Sequence, residues 1–137
     1  MYGEFNYLAV LIAAIVSIAL GMIWYAQPVF GKLWLKLNGY TTKDAKKMKK
    51  ECSGKTYIAA IIAALVTAAV LELAMNYINA VTFANGLYVG FFVWLGFAAP
   101  IMLGSVLWEQ KPVKAYLLNV AFYLVNLLII SGILAAW

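Results

Sequence analysis

Long apolar runs separated by short polar segments make up most of the chain. Four of these runs reach the roughly 20 residues that a helix needs to cross a bilayer; they cover residues 5–25, 57–79, 87–108 and 115–137. Their length and scarcity of charge predict transmembrane helices. We therefore expect an all-α fold, an integral-membrane bundle of four transmembrane helices built as one domain over residues 1–137.

Small residues recur every fourth position along these runs, as in Ala60, Ala64 and Ala68 of the second run and in Gly86, directly before the third run, and Gly90 within it. Small residues with this spacing let two helix backbones approach closely in lipid. The stripes therefore predict the faces through which the helices pack against one another.

The segment after the first run is amphipathic and ends in a polar stretch. Between Pro28 and Gly39, apolar side chains recur at helical spacing with Lys32 and Lys36 opposite them, and only Leu35 breaks the pattern. This pattern predicts a short amphipathic helix lying in the membrane interface, with Pro at its start and Gly at its stop.

A second, polar helix is predicted after this interfacial helix. Thr41 followed by Asp44 resembles a capping box, the arrangement in which two side chains satisfy the free N–H groups at a helix start. The helix would run from residue 43 to about Cys52. Its lysines would face anionic lipid head groups or water.

Charge is distributed unevenly between the two sides of the predicted bundle. All ten basic residues are lysines; eight lie between Lys32 and Lys55, and the others are Lys111 and Lys114. Because cytoplasmic loops carry the excess of Lys and Arg, loops 28–56 and 109–114 are expected in the cytoplasm. Both termini would then lie outside the cell, in a multi-pass protein of the plasma membrane.

Glu72 is the only charged residue within the four apolar runs, and it shares a helix face with Asn76. On the fourth run, Asn119, Tyr123 and Asn126 form a second polar face. A carboxyl group inside a membrane is a candidate functional group, so these five residues are a predicted substrate or ion site. The alternative is that they act only as hydrogen-bonding contacts between helices.

The residue types give little support for catalysis. The chain has no His, no Arg and a single Cys52, and no clustered metal ligands or glycine-rich phosphate loop occur in the sequence. We expect no enzymatic activity, no catalytic residue, no metal and no cofactor.

Two groups of residues resemble a known family. One is the string Gly21-Met22-Ile23-Trp24-Tyr25, Pro28, Phe30-Gly31-Lys32 and Trp34; the other runs from Gly96 and Pro100 through Trp108-Glu109-Gln110-Lys111-Pro112 to Ala136-Trp137. They resemble the domain of unknown function 1761 family, small membrane proteins with four helices. The resemblance implies a fold and no activity, and it directs attention to the corner between Trp24 and Trp34.

Two functions from different classes follow from these observations. The first is a small transporter or channel, expected to be a homo-oligomer, with a polar site around Glu72. The second is a membrane module that binds lipid or a partner protein through the Lys-rich loop and the corner. The residues expected to contact lipid in the second case are Trp24, Tyr25, Phe30, Trp34, Lys32 and Lys36. The bilayer and its anionic head groups are the expected partners, and no nucleic acid is expected.

Overall fold

Helices account for nearly all of the chain that can be described. A computed structural model describes residues 5–51 and 54–137, and this part contains helices and no strand. The helices are α1 (Tyr7–Trp24), α2 (Lys32–Leu37), α3 (Thr42–Glu51), α4 (Gly54–Ile78), α5 (Phe83–Val93), α6 (Ala99–Met102), α7 (Gly104–Leu107) and α8 (Val113–Ala136).

The predicted all-α bundle is confirmed. Among the described residues, four helical stretches are long and apolar enough to cross a membrane: Tyr7–Trp24, Gly54–Ile78, Phe83–Leu107 and Val113–Ala136. The second and third begin earlier than the predicted residues 57 and 87. The third begins early because the Thr82 hydroxyl accepts a hydrogen bond from the Asn85 N–H at 3.1 Å and caps the helix.

The third span is not one continuous α-helix. After α5 the chain forms a π-helical turn over Trp94–Ala98, and the short helices α6 and α7 follow. Pro100 stands next to this turn, and a proline inside a helix removes one backbone N–H and crowds the preceding turn. The irregular backbone is stabilised by α8, where the Tyr116 hydroxyl donates to the Ala99 carbonyl at 2.8 Å.

Helix α8 is the centre of the bundle. It packs against α1, α4 and α5, and its buried residues continue from Ala115 to Ala135. The contact with α5 is the closest, since a methyl group added to Gly90 would lie 2.6 Å from the carbonyl oxygen of Leu127. A methyl group on Gly86 would overlap the carbonyl oxygen of Ser131 in the same way. Glycine at these positions therefore allows the backbones to touch.

The tightly packed core lies at one end of the bundle. We call the end where α1 begins and α8 finishes the terminal end, and the opposite end the loop end. The main cluster of buried apolar residues belongs to the terminal end and contains Ala9, Val10, Ala13, Ala68, Leu71, Met75, Ala80, Leu127, Ile130, Leu134 and Ala135. Nearer the loop end, the buried apolar residues of α8 are Ala115, Leu118, Val120 and Phe122.

Helix α4 leaves this core toward the loop end. Its residues Tyr57, Ile58 and Ile61 are exposed apolar side chains, and Ala60 is exposed as well. The small-residue stripe predicted as a packing face is therefore buried at Ala68 but not at Ala60. Exposed apolar side chains on a transmembrane helix are free to contact lipid.

The segment between α1 and α4 follows its local sequence signals. A π-helical turn over Gln27–Gly31 leads into α2, and the chain turns at Gly39, whose φ is 76°. The predicted capping box is present: the Asp44 N–H donates to the Thr41 hydroxyl at 3.2 Å, and the Thr41 N–H donates to Asp44 at 2.9 Å. The predicted helix end at Cys52 lies outside the described residues.

Candidate functional site

A cavity of about 600 Å³ opens at the loop end, between the end of α1, α2, α3, the third span and α8. The described residues that line it are aromatic, aliphatic or sulfur-containing, with one carboxamide, and none is charged. They are Tyr25, Gly31, Trp34, Leu35, Ala45, Met48, Met102, Asn119 and Tyr123. Ligand cavities are typically of this size and largely apolar, with a few polar groups that fix orientation.

Tyr25 and Asn119 form the polar part of the cavity wall. The Tyr25 hydroxyl donates a hydrogen bond of 2.7 Å to the Asn119 side-chain oxygen, which joins the end of α1 to α8. Because that oxygen already accepts a hydrogen bond, the NH₂ group of Asn119 is the part that can serve as a donor toward a ligand. Tyr123, one turn further along α8, is 41% exposed.

Trp34 forms the second wall, and two neighbouring rings hold its orientation. Its ring stands nearly perpendicular to that of Tyr25, with an interplanar angle of 82° and a centroid distance of 6.4 Å. Tyr40 stacks on Trp34 at 5.7 Å and 28°. Aromatic contacts of this kind stabilise by about 0.5–1.5 kcal/mol each, so the indole is held in place before any ligand arrives.

A second layer of aromatic rings supports Tyr25 from behind. The ring centroid of Phe122 lies 5.4 Å from that of Tyr25 and 5.9 Å from that of Trp24. The ring centroids of Trp24 and Phe30 are 4.6 Å apart. These residues tie the π-helical turn after α1 to α8. The corner between Trp24 and Trp34 is therefore a packed aromatic cluster that forms one side of the cavity.

Gly31 completes the turn that opens the cavity. A methyl group added there would lie 2.5 Å from the Tyr25 carbonyl oxygen and 2.8 Å from the carbonyl carbon of Ala26. Only glycine allows this approach of backbone to backbone. The Gly31 N–H donates to the Ala26 carbonyl at 2.9 Å, which closes the turn.

The residues predicted to contact lipid differ in their surroundings. Lys32 and Lys36 are exposed, as expected for head-group contacts. Phe30 packs on Trp24, and the indole nitrogen of Trp24 is buried without a hydrogen-bond acceptor among the described residues. Trp24 therefore acts here as a packing residue, whereas an interfacial anchor would present its N–H to head groups.

Glu72 lies at the terminal end, next to the start of α1. It is 4% exposed, and its Oε1 accepts a hydrogen bond of 3.3 Å from the Asn6 N–H. The Asn6 side chain caps the same helix by accepting from the Ala9 N–H at 3.0 Å. Glu72 thus faces the positive end of the α1 dipole, where a carboxyl group is stabilised. Asn76, one turn along α4, also hydrogen-bonds with Glu72.

The five residues predicted as one polar site are not brought together. Gly21 packs against Phe122, and Asn6 lies 15 positions before Gly21, or ~22 Å along a helix. Glu72 is therefore ~20 Å from Tyr123 along the bundle. Asn119 and Tyr123 belong to the cavity, while Glu72 and Asn76 belong to the terminal end.

Asn126 lies between these two groups, one helical turn beyond Phe122. It is 5% exposed, and its side-chain oxygen has no hydrogen-bond partner among the described residues. It belongs neither to the lining of the cavity nor to the surroundings of Glu72.

Sequence reasoning missed several residues of the cavity. Ala45 and Met48 of α3 and Met102 of the third span line it, and Tyr40 supports Trp34. A signal was present at Leu35: the residue that breaks the amphipathic pattern of α2 faces the cavity. Nothing in the sequence pairs α3 with the third span. Among the described residues, no three His, Cys, Asp or Glu side chains lie together to hold a metal ion.

Comparison with known proteins identifies the family. No curated protein and no solved structure matches this chain. The model of one family, described as "Protein of unknown function (DUF1761)", matches residues 8–135, which is nearly the whole chain. The cavity, the aromatic corner and Glu72 all lie inside the matched region. The chain therefore belongs to the DUF1761 family of proteins of unknown function.

Proposed function

We propose that this multi-pass membrane protein binds an amphipathic, lipid-like molecule in the cavity at the loop end. The observation that carries the proposal is the lining: aromatic side chains, two methionines and the Tyr25–Asn119 hydrogen bond line an open cavity of about 600 Å³. Methionine side chains adapt to flexible apolar ligands. The Asn119 amide would fix the polar part of such a molecule.

The location of the cavity supports a ligand that comes from the membrane. The cavity adjoins the π-helical turn, which carries exposed Val29, and α2, which carries exposed Leu33, Lys32 and Lys36. We propose that this segment lies in the cytoplasmic interface of the plasma membrane, where apolar groups contact acyl chains and lysines contact anionic head groups.

Photochemical cross-linking tests the proposed binding site. A phospholipid with a photoactivatable acyl chain, incorporated into nanodiscs with the protein, should label residues on α2, α3 and the Tyr123 turn of α8. Replacing Ala45 with Phe would fill the cavity from α3, and labelling should fall at least fivefold. Glu51→Phe, at the exposed end of the same helix and outside the lining, is the matched control and should leave labelling unchanged. Equal labelling of wild type and Ala45→Phe would refute the proposal.

Thiol labelling tests the proposed orientation. In a Cys52→Ser background, Lys46→Cys should react with a membrane-impermeant maleimide only after the cells are opened, because the lysines place that loop inside. Val81→Cys, on the connection at the other end of the bundle and 70% exposed, should react on intact cells. Labelling of Lys46→Cys but not of Val81→Cys on intact cells would show that the topology is the reverse of the one proposed.

A transport function is the second candidate, supported by Glu72. One of its two carboxyl oxygens, Oε2, is buried and has no partner among the described residues. In a transporter this carboxyl would bind a proton or a cation. Glu72→Gln should then abolish pH-dependent cation flux in proteoliposomes while the protein stays folded.

A purely structural Glu72 gives a different result. Gln retains an acceptor for the Asn6 N–H, so stability should change by less than about 1 kcal/mol. Glu72→Leu removes the acceptor and should cost about 1–2 kcal/mol. Wild-type proteoliposomes without flux of protons, Na⁺ or K⁺ would remove the support for transport and leave the proposed binding function unaffected.

A further inference from the structure

Three aromatic rings line the loop-end cavity together. We propose that they bind the ammonium head group of a zwitterionic phospholipid, an inference that rests on the proposed binding function and names its ligand class. The rings concerned are Tyr25, Trp34 and Tyr123.

The rings of Tyr25, Trp34 and Tyr123 are arranged around a common space. The planes of Tyr25 and Trp34 meet at 82°, so their faces form a corner, and Tyr123 lines the same space. The face of an aromatic ring carries the negative part of its quadrupole, and a cation within about 6 Å of several faces is attracted by each of them. Assemblies of this kind bind quaternary ammonium groups.

The rings of Tyr25 and Trp34 are held in position by neighbouring side chains. Tyr40 holds one side of Trp34, while Asn119 holds the hydroxyl of Tyr25 and Phe122 packs against the Tyr25 ring. A site that is already ordered loses little side-chain entropy on binding, so more of the interaction contributes to affinity.

Among the described residues, charged side chains surround the cavity but do not line it. The described lining contains no charged side chain, so no lysine competes with a bound cation inside the cavity. Outside it, Lys32 and Lys36 on α2 and Lys46 and Lys47 on α3 are exposed. A free organic cation would be repelled by these lysines. A zwitterionic head group fits both features, because its ammonium group can enter the cavity while its phosphate stays among the lysines.

The test compares two lysophospholipids that differ in one atom. One carries phosphocholine; in the other, carbon replaces the quaternary nitrogen, so that shape is kept and the positive charge is lost. Binding of each is measured by native mass spectrometry to protein in nanodiscs made only of phosphatidylglycerol, which has no ammonium group. We expect about tenfold tighter binding of the phosphocholine compound. The lysines alone would favour the more negative carbon analogue, so this preference reports the ammonium group.

Variants of the walls separate this inference from the binding function. Trp34→Leu should remove the preference and Trp34→Phe should retain part of it, while Trp108→Leu, at a site 85% exposed, should leave it intact. If both compounds bind tightly and equally, and Ala45→Phe weakens the binding of both, the ammonium site is refuted and the binding cavity is supported. Binding of neither compound, together with unchanged photolabelling in Ala45→Phe, would overturn both.

Discussion

The two ends of the bundle are built from different residues and solve different packing problems. At the terminal end, alanine and glycine let α1, α4, α5 and α8 approach closely, and one acid, Glu72, is used to hold the start of α1. At the loop end, α4 leaves the bundle and large aromatic residues occupy the space around α1 and α8 without filling it.

This difference has a physical reason. Small side chains pack densely because backbones can touch, and close contact is the main source of helix association in lipid. Large rigid rings cannot fill an irregular space completely, so a cavity remains between them. The terminal end is therefore suited to holding the fold, and the loop end to binding. Changes at the two ends should have different consequences.

The largest effect is expected from Gly90 at the terminal end. Gly90→Leu would force α5 away from α8, since even a methyl group would lie 2.6 Å from the Leu127 carbonyl oxygen. We expect a loss of at least about 3 kcal/mol in the free energy of unfolding in mixed micelles. The matched control is Gly96→Leu, where an added methyl group meets no atom within 4 Å. A similar loss in both variants would contradict the close contact.

A smaller effect is expected from Tyr25 at the loop end. Tyr25→Phe keeps the ring and removes the 2.7 Å hydrogen bond to Asn119, which should cost about 1 kcal/mol of unfolding free energy and weaken binding in the cavity. Tyr88→Phe, at a site 66% exposed, is the control and should change neither quantity. Unchanged stability in Tyr25→Phe would show that the hydrogen bond does not join α1 to α8.

The smallest effect concerns α3, which contributes Ala45 and Met48 to the cavity lining. The Thr41 backbone N–H donates to the Asp44 carboxylate and lowers the pKa of that group below its ordinary value. Because folding lowers the pKa of this carboxyl group, the group stabilises α3 at pH values above the ordinary pKa of Asp. This stabilisation is lost as the pH falls through the lowered pKa.

NMR chemical shifts of the α3 backbone measure this dependence. They should move toward coil values as the pH falls below about 4. Asp44→Asn should show no such step, and Glu51→Gln, at the other end of α3, should retain it. A step that persists in Asp44→Asn would assign the effect to another group.

Local patterns in the sequence predicted much of the fold. The four spans follow from the length of the apolar runs, the stop of α2 from Gly39, and the start of α3 from Thr41 and Asp44. Each of these features depends on residues within a few positions of one another. The family, too, was recognisable from motifs that the whole-chain match now confirms.

The site depended on contacts that no local pattern records. Asn119 and Tyr25 are 94 positions apart, and only the packing of α1 on α8 brings them together. The same packing puts Glu72 at the opposite end, so the polar residues that were predicted to form one substrate or ion site occupy separate regions. Helix spacing indicates which residues share a face, but the depth at which two faces meet is set by the packing of the whole bundle.

The central claim, that a ligand binds at the loop end, is tested most directly by fluorine NMR of the five tryptophans. Protein labelled with 5-fluorotryptophan is placed in phosphatidylglycerol nanodiscs, and the Trp34 signal is assigned by its loss in Trp34→Phe. Titration with the phosphocholine lysophospholipid should move the Trp34 signal saturably and leave those of the exposed Trp108 and Trp137 in place. A Trp34 signal that stays fixed, or moves no more than those two, would contradict the account.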